Sequence, residues 1–302
     1  MTLDHAACLY GGTDDFLTVA VPFLRAGLER EEVVVAVAEE PNLGALRDVL
    51  GPDGGTVAFI DSAGFYRHPI HTLRDYQAIA KESAPRRVCA LAEPVWSGWT
   101  ERQTLEWIRY ESLINVVFAD TDAQAMCMYD TGRLPEDILF AARRTHPGLV
   151  REGANNAYVD PEVFAAGCDR RLTFDRPGHA EYTAIESADL HRLRAFVAGR
   201  AERHGLGRQA ARNLVTAVNE AAANALRHGA PPVGLWTWRD GDTLVCEVGD
   251  HGYWRAGPLT GFVPPASALH RGFGLWTVRL LVDLVELRSG WDGTFVRMHV
   301  HR

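Results

Sequence analysis

Over the first 130 positions, short apolar runs alternate with stretches of helical spacing. Ala6 to Tyr10 reads as a strand closed by Gly11-Gly12, and Phe16 to Glu29 as a helix ending near Gly27. Val33 to Ala38 (VVVAVA) is apolar throughout and rich in valine, which predicts a strand buried on both faces. Leu43 to Leu50, Thr72 to Glu82 and Glu101 to Asn115 carry helical spacing. Val57 to Ile60, Val88 to Leu91 and Ala125 to Tyr129 read as further strands. Strands alternating with helices predict an α/β domain with a parallel sheet covered on both faces. The periodicity lapses from Gly148 to about Arg171, where Gly153, Asn155, Asn156, Pro161 and Gly167 predict the trailing edge of a domain and a linker.

The second half has a different order. Leu172 to Phe174 reads as a first strand, and Ser187 to His204 as a helix with Ser187 as its N-cap and Leu190, Leu193, Phe196 and Val197 on one face. Arg212 to Gly229 has a stripe of Leu214, Val218, Ala221, Ala225 and Leu226 at helical spacing. Gly234 to Trp238 and Thr243 to Asp250 predict a hairpin across Asp240-Gly241-Asp242. An irregular segment from Tyr253 to Arg271 reads as a lid. A helix from Leu275 follows, then a last hairpin of Val285 to Ser289 and Thr294 to His299. This order predicts an α+β sandwich, one mixed sheet with helices on one face. The expected boundaries are 1–158 for the first domain, 159–171 for the linker and 172–302 for the second domain.

Composition narrows the function classes. The formal net charge of −8 argues against a general nucleic-acid binder, which is usually basic. No apolar run approaches the roughly 20 residues that span a bilayer, and the start MTLDHAACLYGG lacks the pattern of a secretory signal. The five cysteines stand singly, with no C-x-x-C pair, which fits a reducing cytoplasm better than a disulfide framework.

Candidate chemistry concentrates in the second half. Glu220 and Asn224, four apart, share a helix face. A carboxylate can take a proton from a hydroxyl or order a water, and a carboxamide can hold a divalent cation by oxygen. Asp250 at a strand end can accept from an exocyclic amine, and Gly252 lets backbone approach a flat base. Gly272 and Gly274, with Leu275 after them, open a helix whose bare N–H groups suit phosphate. Each motif is common alone; the ordered set is specific.

In the first half, Gly11 to Phe16 (GGTDDF) follows the first strand, where a phosphate loop would stand. It lacks the lysine, and Asp14 and Asp15 would repel phosphate, so nucleotide binding in that manner is not expected. Strand ends carry Asp61, Glu93 and Asp130, and Trp96, Trp99, Trp107, Tyr110 and Tyr129 give an aromatic load that suits either a small-molecule pocket or the core.

The set in the second half resembles the Bergerat-type ATPases, and within them the anti-sigma factor serine kinases of the HATPase_c_2 group, on the run AVNEAAANALRHG and the D-x-G and G-x-G motifs. The resemblance implies ATP and Mg²⁺ as cofactors. It makes Glu220 the catalytic base, Asn224 the Mg²⁺ ligand and Asp250 the adenine-binding residue, with Gly252, Arg271, Gly272, Gly274 and Leu275 framing the nucleotide. It implies a sigma factor and a STAS-type anti-anti-sigma protein as partners, serine phosphorylation of the latter, and a homodimer. The family often has a second glycine after D-x-G; here Tyr253 and Trp254 stand there, which puts turnover more in doubt than binding. A degenerate, partner-binding module is the alternative. A sensor histidine kinase would need a phosphoacceptor such as His191 or His204 on a dimerisation helix, and the chain leaves no room for one.

The first half resembles the MEDS-type sensory domain, on His5, FLRAGLEREEVVVAV (Phe23 to Val37), Tyr110-Glu111-x-x-x-Asn115, Cys127-x-Tyr129-Asp130 and His146-Pro147. That family implies a RecA/KaiC-like fold with a lost nucleotide loop and a small-molecule ligand of the hydrocarbon-derivative class. Candidate ligand contacts are His5, Glu93, Tyr110, Cys127 and His146. Nothing in the spacing of His5, Cys127 and His146 specifies a metal, so they are read as hydrogen-bonded residues.

Overall fold

The computed structural model describes residues 2–168, 176–186, 190–257, 259–262 and 273–302. The chain divides into two units, Met1–Cys168 and Asp169–Arg302.

The first unit runs β1 (Leu3–Tyr10), α1 (Thr13–Glu29), β2 (Val33–Ala38), α2 (Glu40–Leu50), β3 (Ala58–Asp61), α3 (Ser62–Phe65), α4 (Pro69–Ser83), β4 (Val88–Ala92), α5 (Glu101–Val117), β5 (Ala123–Asp130), α6 (Glu136–Thr145), β6 (Gly148–Leu149), β7 (Gly153–Ala154) and α7 (Pro161–Cys168). Its sheet order is β3-β2-β4-β5-β1-β6-β7. All described pairings are parallel except β6 with β7. The valine run behaves as its composition requires. Val34, Ala36 and Ala38 face one core with α1 and α2, and Val35 and Val37 face the other with Tyr66, Trp107 and Tyr110. Gly27 lets α1 lie close on β4, because a Cβ there would sit 2.7 Å from Cys89 Sγ.

The stretch expected as a linker carries α7. Asp160 Oδ1 accepts from the N–H groups of Glu162 and Val163 and starts it, while Phe164, Ala165 and Cys168 are buried. Eight residues are too few for a visible helical period, and the glycine and asparagines before them mask the start.

The second unit runs β8 (Glu181–Ala184), α8 (Leu190–His204), α9 (Arg208–His228), β9 (Gly234–Asp240), β10 (Thr243–Asp250), α10 (Phe273–Leu281), β11 (Leu284–Gly290) and β12 (Gly293–His301). Its sheet order is β11-β12-β10-β9-β8. Every described pairing is antiparallel, so the sheet is not the mixed one expected. Tight hairpins, which can only reverse direction, join β9 to β10 and β11 to β12, while β8 with β9 and β10 with β12 pair antiparallel across longer connections. One sheet face supplies Leu235, Leu244, Cys246, Val248, Val296, Met298 and Val300 to a core completed by Leu193, Val197, Leu214, Val218 and Val278 from the helices. The strand expected at Leu172 to Phe174 lies outside the described residues. The edge strand β8 escaped the sequence pattern because only four residues pair.

Candidate functional sites

Helix α9 carries the polar pair of the second unit. Its stripe of Leu214, Ala217, Val218, Ala221, Ala222 and Ala225 is buried, which leaves Glu220 and Asn224 half-buried on one flank. The Asn224 carboxamide lies against Gly274 in α10, where a Cβ would overlap it. Asp250 ends β10 and is buried. Its Oδ1 accepts from the N–H of Gly252 at 2.7 Å and of Ala230 at 3.3 Å, and the His251 N–H donates to the Ala230 carbonyl at 2.9 Å. These bonds fasten the end of β10 to the residues after α9. They need bare backbone: a Cβ on Gly229 would overlap the Asp250 carboxylate, and one on Gly252 would lie 2.8 Å from Gly229 Cα. Burial raises the Asp250 pKa above its ordinary value, against the pull of the two N–H groups. With both bonds on Oδ1, Oδ2 is the oxygen left to accept from a ligand.

Beyond Asp250 the chain passes the last hairpin. The Ala256 N–H donates to Ser289 Oγ at 3.0 Å, and the Tyr253 ring lies 4.5 Å from the exposed Trp291 ring. Gly252, Gly274 and Leu275 are described; Arg271 and Gly272 lie outside the described residues.

The first unit holds two polar centres. At the carboxyl ends of the strands, Glu93 is buried and accepts from Tyr10 Oη at 2.5 Å, Asn42 Nδ2 at 2.9 Å and the Glu39 N–H at 2.9 Å. A cleft of about 260 Å³ opens beside it, lined by Trp96, Asp130 and Arg133 among others. The second centre lies inside the core. His5 on β1, Glu111 on α5, Cys127 on β5 and His146 after α6 are all buried, and their ligand atoms lie within 4.8 Å of one another. Burial lowers the His5 pKa to about 4 and that of His146 well below the usual range. It raises Glu111 to about 8 and the Cys127 thiol well above its usual value. A cavity of about 60 Å³ borders His5, Glu111 and Cys127.

Comparison with known families covers both units. Residues 4–147 match the MEDS family, the methanogen/methylotroph DcmR sensory domain, and residues 183–300 match the histidine kinase-like ATPase domain. The chain joins a MEDS sensory domain to a histidine kinase-like ATPase domain. No curated protein matches the chain. Among solved structures, the RsbU and RsbW domains of a Mycobacterium tuberculosis protein align at 18% identity over 41% of this chain and 33% of that one, with a TM-score of 0.32. The chain therefore spans about a third of that protein's length. The Acinetobacter baumannii histidine kinase AdeS aligns at 11% identity over 40% of this chain and 67% of that one, with a TM-score of 0.25. A blue-light activated histidine kinase of Erythrobacter litoralis aligns at 15% identity over 68% and 62%, with a TM-score of 0.25.

In the MEDS domain, the structure brings His5, Cys127 and His146 together, places Tyr110 in the adjoining aromatic core within electrostatic reach of Glu111 and Cys127, and holds Glu93 at the strand ends. Glu93 serves the strand-end centre, and Tyr110 packs edge-on against Trp107. Glu111 completes the buried cluster and is not among the contacts that the sequence pattern predicts. The signal was present, since Tyr110 and Glu111 are neighbours on a helix and point to different faces. In the ATPase domain, Asn224 with Gly274 and Asp250 with Gly252 meet as described. No helix among the described residues is long and apolar enough to cross a membrane.

Proposed function

We propose that the protein is a signal-transduction regulator in which the MEDS domain binds a small molecule and thereby controls an ATP- and Mg²⁺-dependent anti-sigma factor domain. The observation that carries the reading is the Asp250 carboxylate. It is buried, oriented through Oδ1 by two backbone N–H groups, and framed by two glycines without room for a Cβ. The donor set fits an adenine nucleotide with a hard cation: a carboxylate oxygen for an exocyclic amine, a carboxamide oxygen for Mg²⁺, and bare glycine backbone where a base must come close. ATP bound there supplies a transferable phosphoryl group. In this reading Asp250 Oδ2 would accept from the adenine amine and Asn224 Oδ1 would hold the cation, while the half-buried Glu220 would take the proton of a serine hydroxyl that receives the phosphoryl group as ADP leaves. The serine belongs to a STAS-type antagonist, and the domain alternates between that partner and a sigma factor.

The RecA/KaiC-like reading of the MEDS domain has its own support. The loop after β1 is filled by the protein: Asp15 Oδ2 accepts from the Gly11 N–H at 2.9 Å, and Arg151 pairs with the same carboxylate. A phosphate there would have to displace Asp15.

One test separates the readings. The protein is incubated with labelled ATP, Mg²⁺ and a STAS-domain partner. Phosphoserine on the partner, lost in Glu220→Gln, is the expected result. Acid-labile label on the protein itself would identify a histidine kinase instead. His204 is poorly placed for that role, since it is buried with Nε2 3.0 Å from the Asp242 carbonyl. ATP binding without transfer would favour a partner-binding module, a reading that the exposed Tyr253 and Trp254 after D-x-G support.

A further inference from the structure

The buried cluster of the MEDS domain has the ligands of a metal site and the outer bonds that would orient them. Four separate elements converge on it: β1 and β5, which pair in parallel with Ala7 opposite Cys127, then α5 and the end of α6. The orientation of each imidazole follows from its neighbours. Asn115 Nδ2 donates to the carbonyls of Thr145 at 2.8 Å and Ser112 at 3.2 Å, which turns Asn115 Oδ1 toward His5 Nδ1 at 2.9 Å. An amide oxygen can only accept, so His5 carries its proton on Nδ1 and presents a bare Nε2 to Cys127 Sγ, 3.3 Å away. His146 Nδ1 lies 2.8 Å from the Ala142 carbonyl, which also can only accept. Its Nε2 is therefore bare as well, and it lies 3.7 Å from Glu111 Oε2.

Among the described residues His146 Nε2 is buried with no hydrogen-bond partner, and the Tyr129 hydroxyl is the group beside the buried Glu111 carboxyl. Buried polar atoms normally find a partner, so His146 Nε2 is an unmet demand facing Glu111. Two imidazole nitrogens, a thiol and a carboxyl oxygen converge, with the Cys127 thiol in hydrogen-bond reach of His5 Nε2.

We propose that His5, Glu111, Cys127 and His146 bind one divalent transition-metal ion of the zinc class. Bonds of about 2.0–2.3 Å in a tetrahedron put neighbouring ligand atoms roughly 3.3–3.7 Å apart. The His5–Cys127 and His146–Glu111 separations of 3.3 Å and 3.7 Å have that size, and the whole set lies within 4.8 Å, so binding would draw it slightly together. On binding, the Cys127 S–H and the Glu111 carboxyl each release a proton to solvent, and two S/O–metal bonds replace them. Two anionic ligands and two neutral imidazoles then balance the ion's two charges, so the core stays neutral. Imidazole and thiolate ligands select against Mg²⁺ and Ca²⁺. The bond from His5 Nδ1 to Asn115 is the outer bond that fixes a ligand's tautomer. The cavity beside His5, Glu111 and Cys127, walled by Tyr66, Ile79 and Phe118, gives an approach to one side of the ion.

The test uses the full chain, stripped with a chelator and titrated with Co²⁺ in the absence of nucleotide. One equivalent should bind, with a thiolate-to-cobalt band in the near ultraviolet and the visible bands of a tetrahedral ion. Zn²⁺ should displace it stoichiometrically. Cys127→Ser should abolish the thiolate band, while Cys246→Ser, in the ATPase core, should leave it. Asn115→Ala should weaken Zn²⁺ binding roughly 10–100-fold in competition with a chelating dye. Should Cys127→Ser fail to fold, the wild-type spectrum still decides. Absence of a thiolate band from wild type, or a band that persists in Cys127→Ser, overturns the assignment.

Discussion

The Asp250 site of the ATPase domain and the buried cluster of the MEDS domain are built in opposite ways. In the ATPase domain the pieces lie between Glu220 and Leu275, and backbone does much of the work: glycines clear space, N–H groups aim the Asp250 carboxylate, and Glu220 stays half-buried. In the MEDS domain the pieces span His5 to His146, every ligand atom is a side chain, and all four residues are buried. The first design leaves two polar side chains half-buried on one helix flank. The second leaves a closed point that suits an ion or a proton. A half-buried carboxylate changes reaction rate with little effect on stability, whereas a buried one is a stability determinant first.

The largest effect that tests this contrast is Glu220→Gln. It should lower phosphoryl transfer roughly 10²–10⁴-fold, with a melting temperature equal to wild type by calorimetry. A drop in stability comparable to the loss of rate would show that Glu220 is structural. Next comes pH. In chelated protein Glu111 has a folded pKa of about 8 against a reference of 4.5, so its protonated form favours the folded state. That contribution is complete below pH 4.5 and is lost as pH rises toward 8, at about 1.4 kcal/mol per unit. Wild type should therefore lose stability relative to Glu111→Gln across that window in denaturant titrations. His5, lowered from 6.5 to about 4, works in the opposite sense: its contribution is complete above pH 6.5 and is lost as pH falls toward 4. Wild type should lose against His5→Gln there, and flat difference curves would mean that solvent reaches the cluster.

Asp250→Ala should weaken ATP binding roughly 10–100-fold by isothermal titration, the worth of one hydrogen bond to a charged group. Unchanged affinity would move the adenine site elsewhere. The smallest effect is expected for Trp291→Ala. Its ring is 87% exposed beside Tyr253, so stability should shift by no more than about 0.5 kcal/mol. A larger fall in partner affinity would mark that rim as a docking surface.

The same difference decides what could be read in advance. The parallel order of the first sheet follows from VVVAVA and the strand–helix alternation, because a doubly buried strand needs uniform apolarity. The ATPase-type motifs are legible because each occupies a few consecutive residues with its own turn or cap chemistry. The MEDS cluster is not, because register and packing bring His5, Glu111, Cys127 and His146 together, and no local spacing encodes that. Glu93 is legible as a strand-end carboxylate beside a cleft, but its bonds to Tyr10, Asn42 and the Glu39 N–H are not, because they come from other elements. Helix α7 and strand β8 are too short to carry a period, and tertiary contact makes them.

Helix α9 also acts as a ruler. Asn224 and Gly229 are separated by five residues, about 7.5 Å along a helix axis, and the far mark is pinned where Gly229 meets the Asp250 carboxylate. Inserting one residue between them would turn Asn224 by about 100° relative to Asp250. The carboxamide would then leave Gly274 for another face of the helix. Side chains along this turn can vary within limits of size and polarity, but its length is set by the close approaches at its two ends, Asn224 to Gly274 and Gly229 to Asp250.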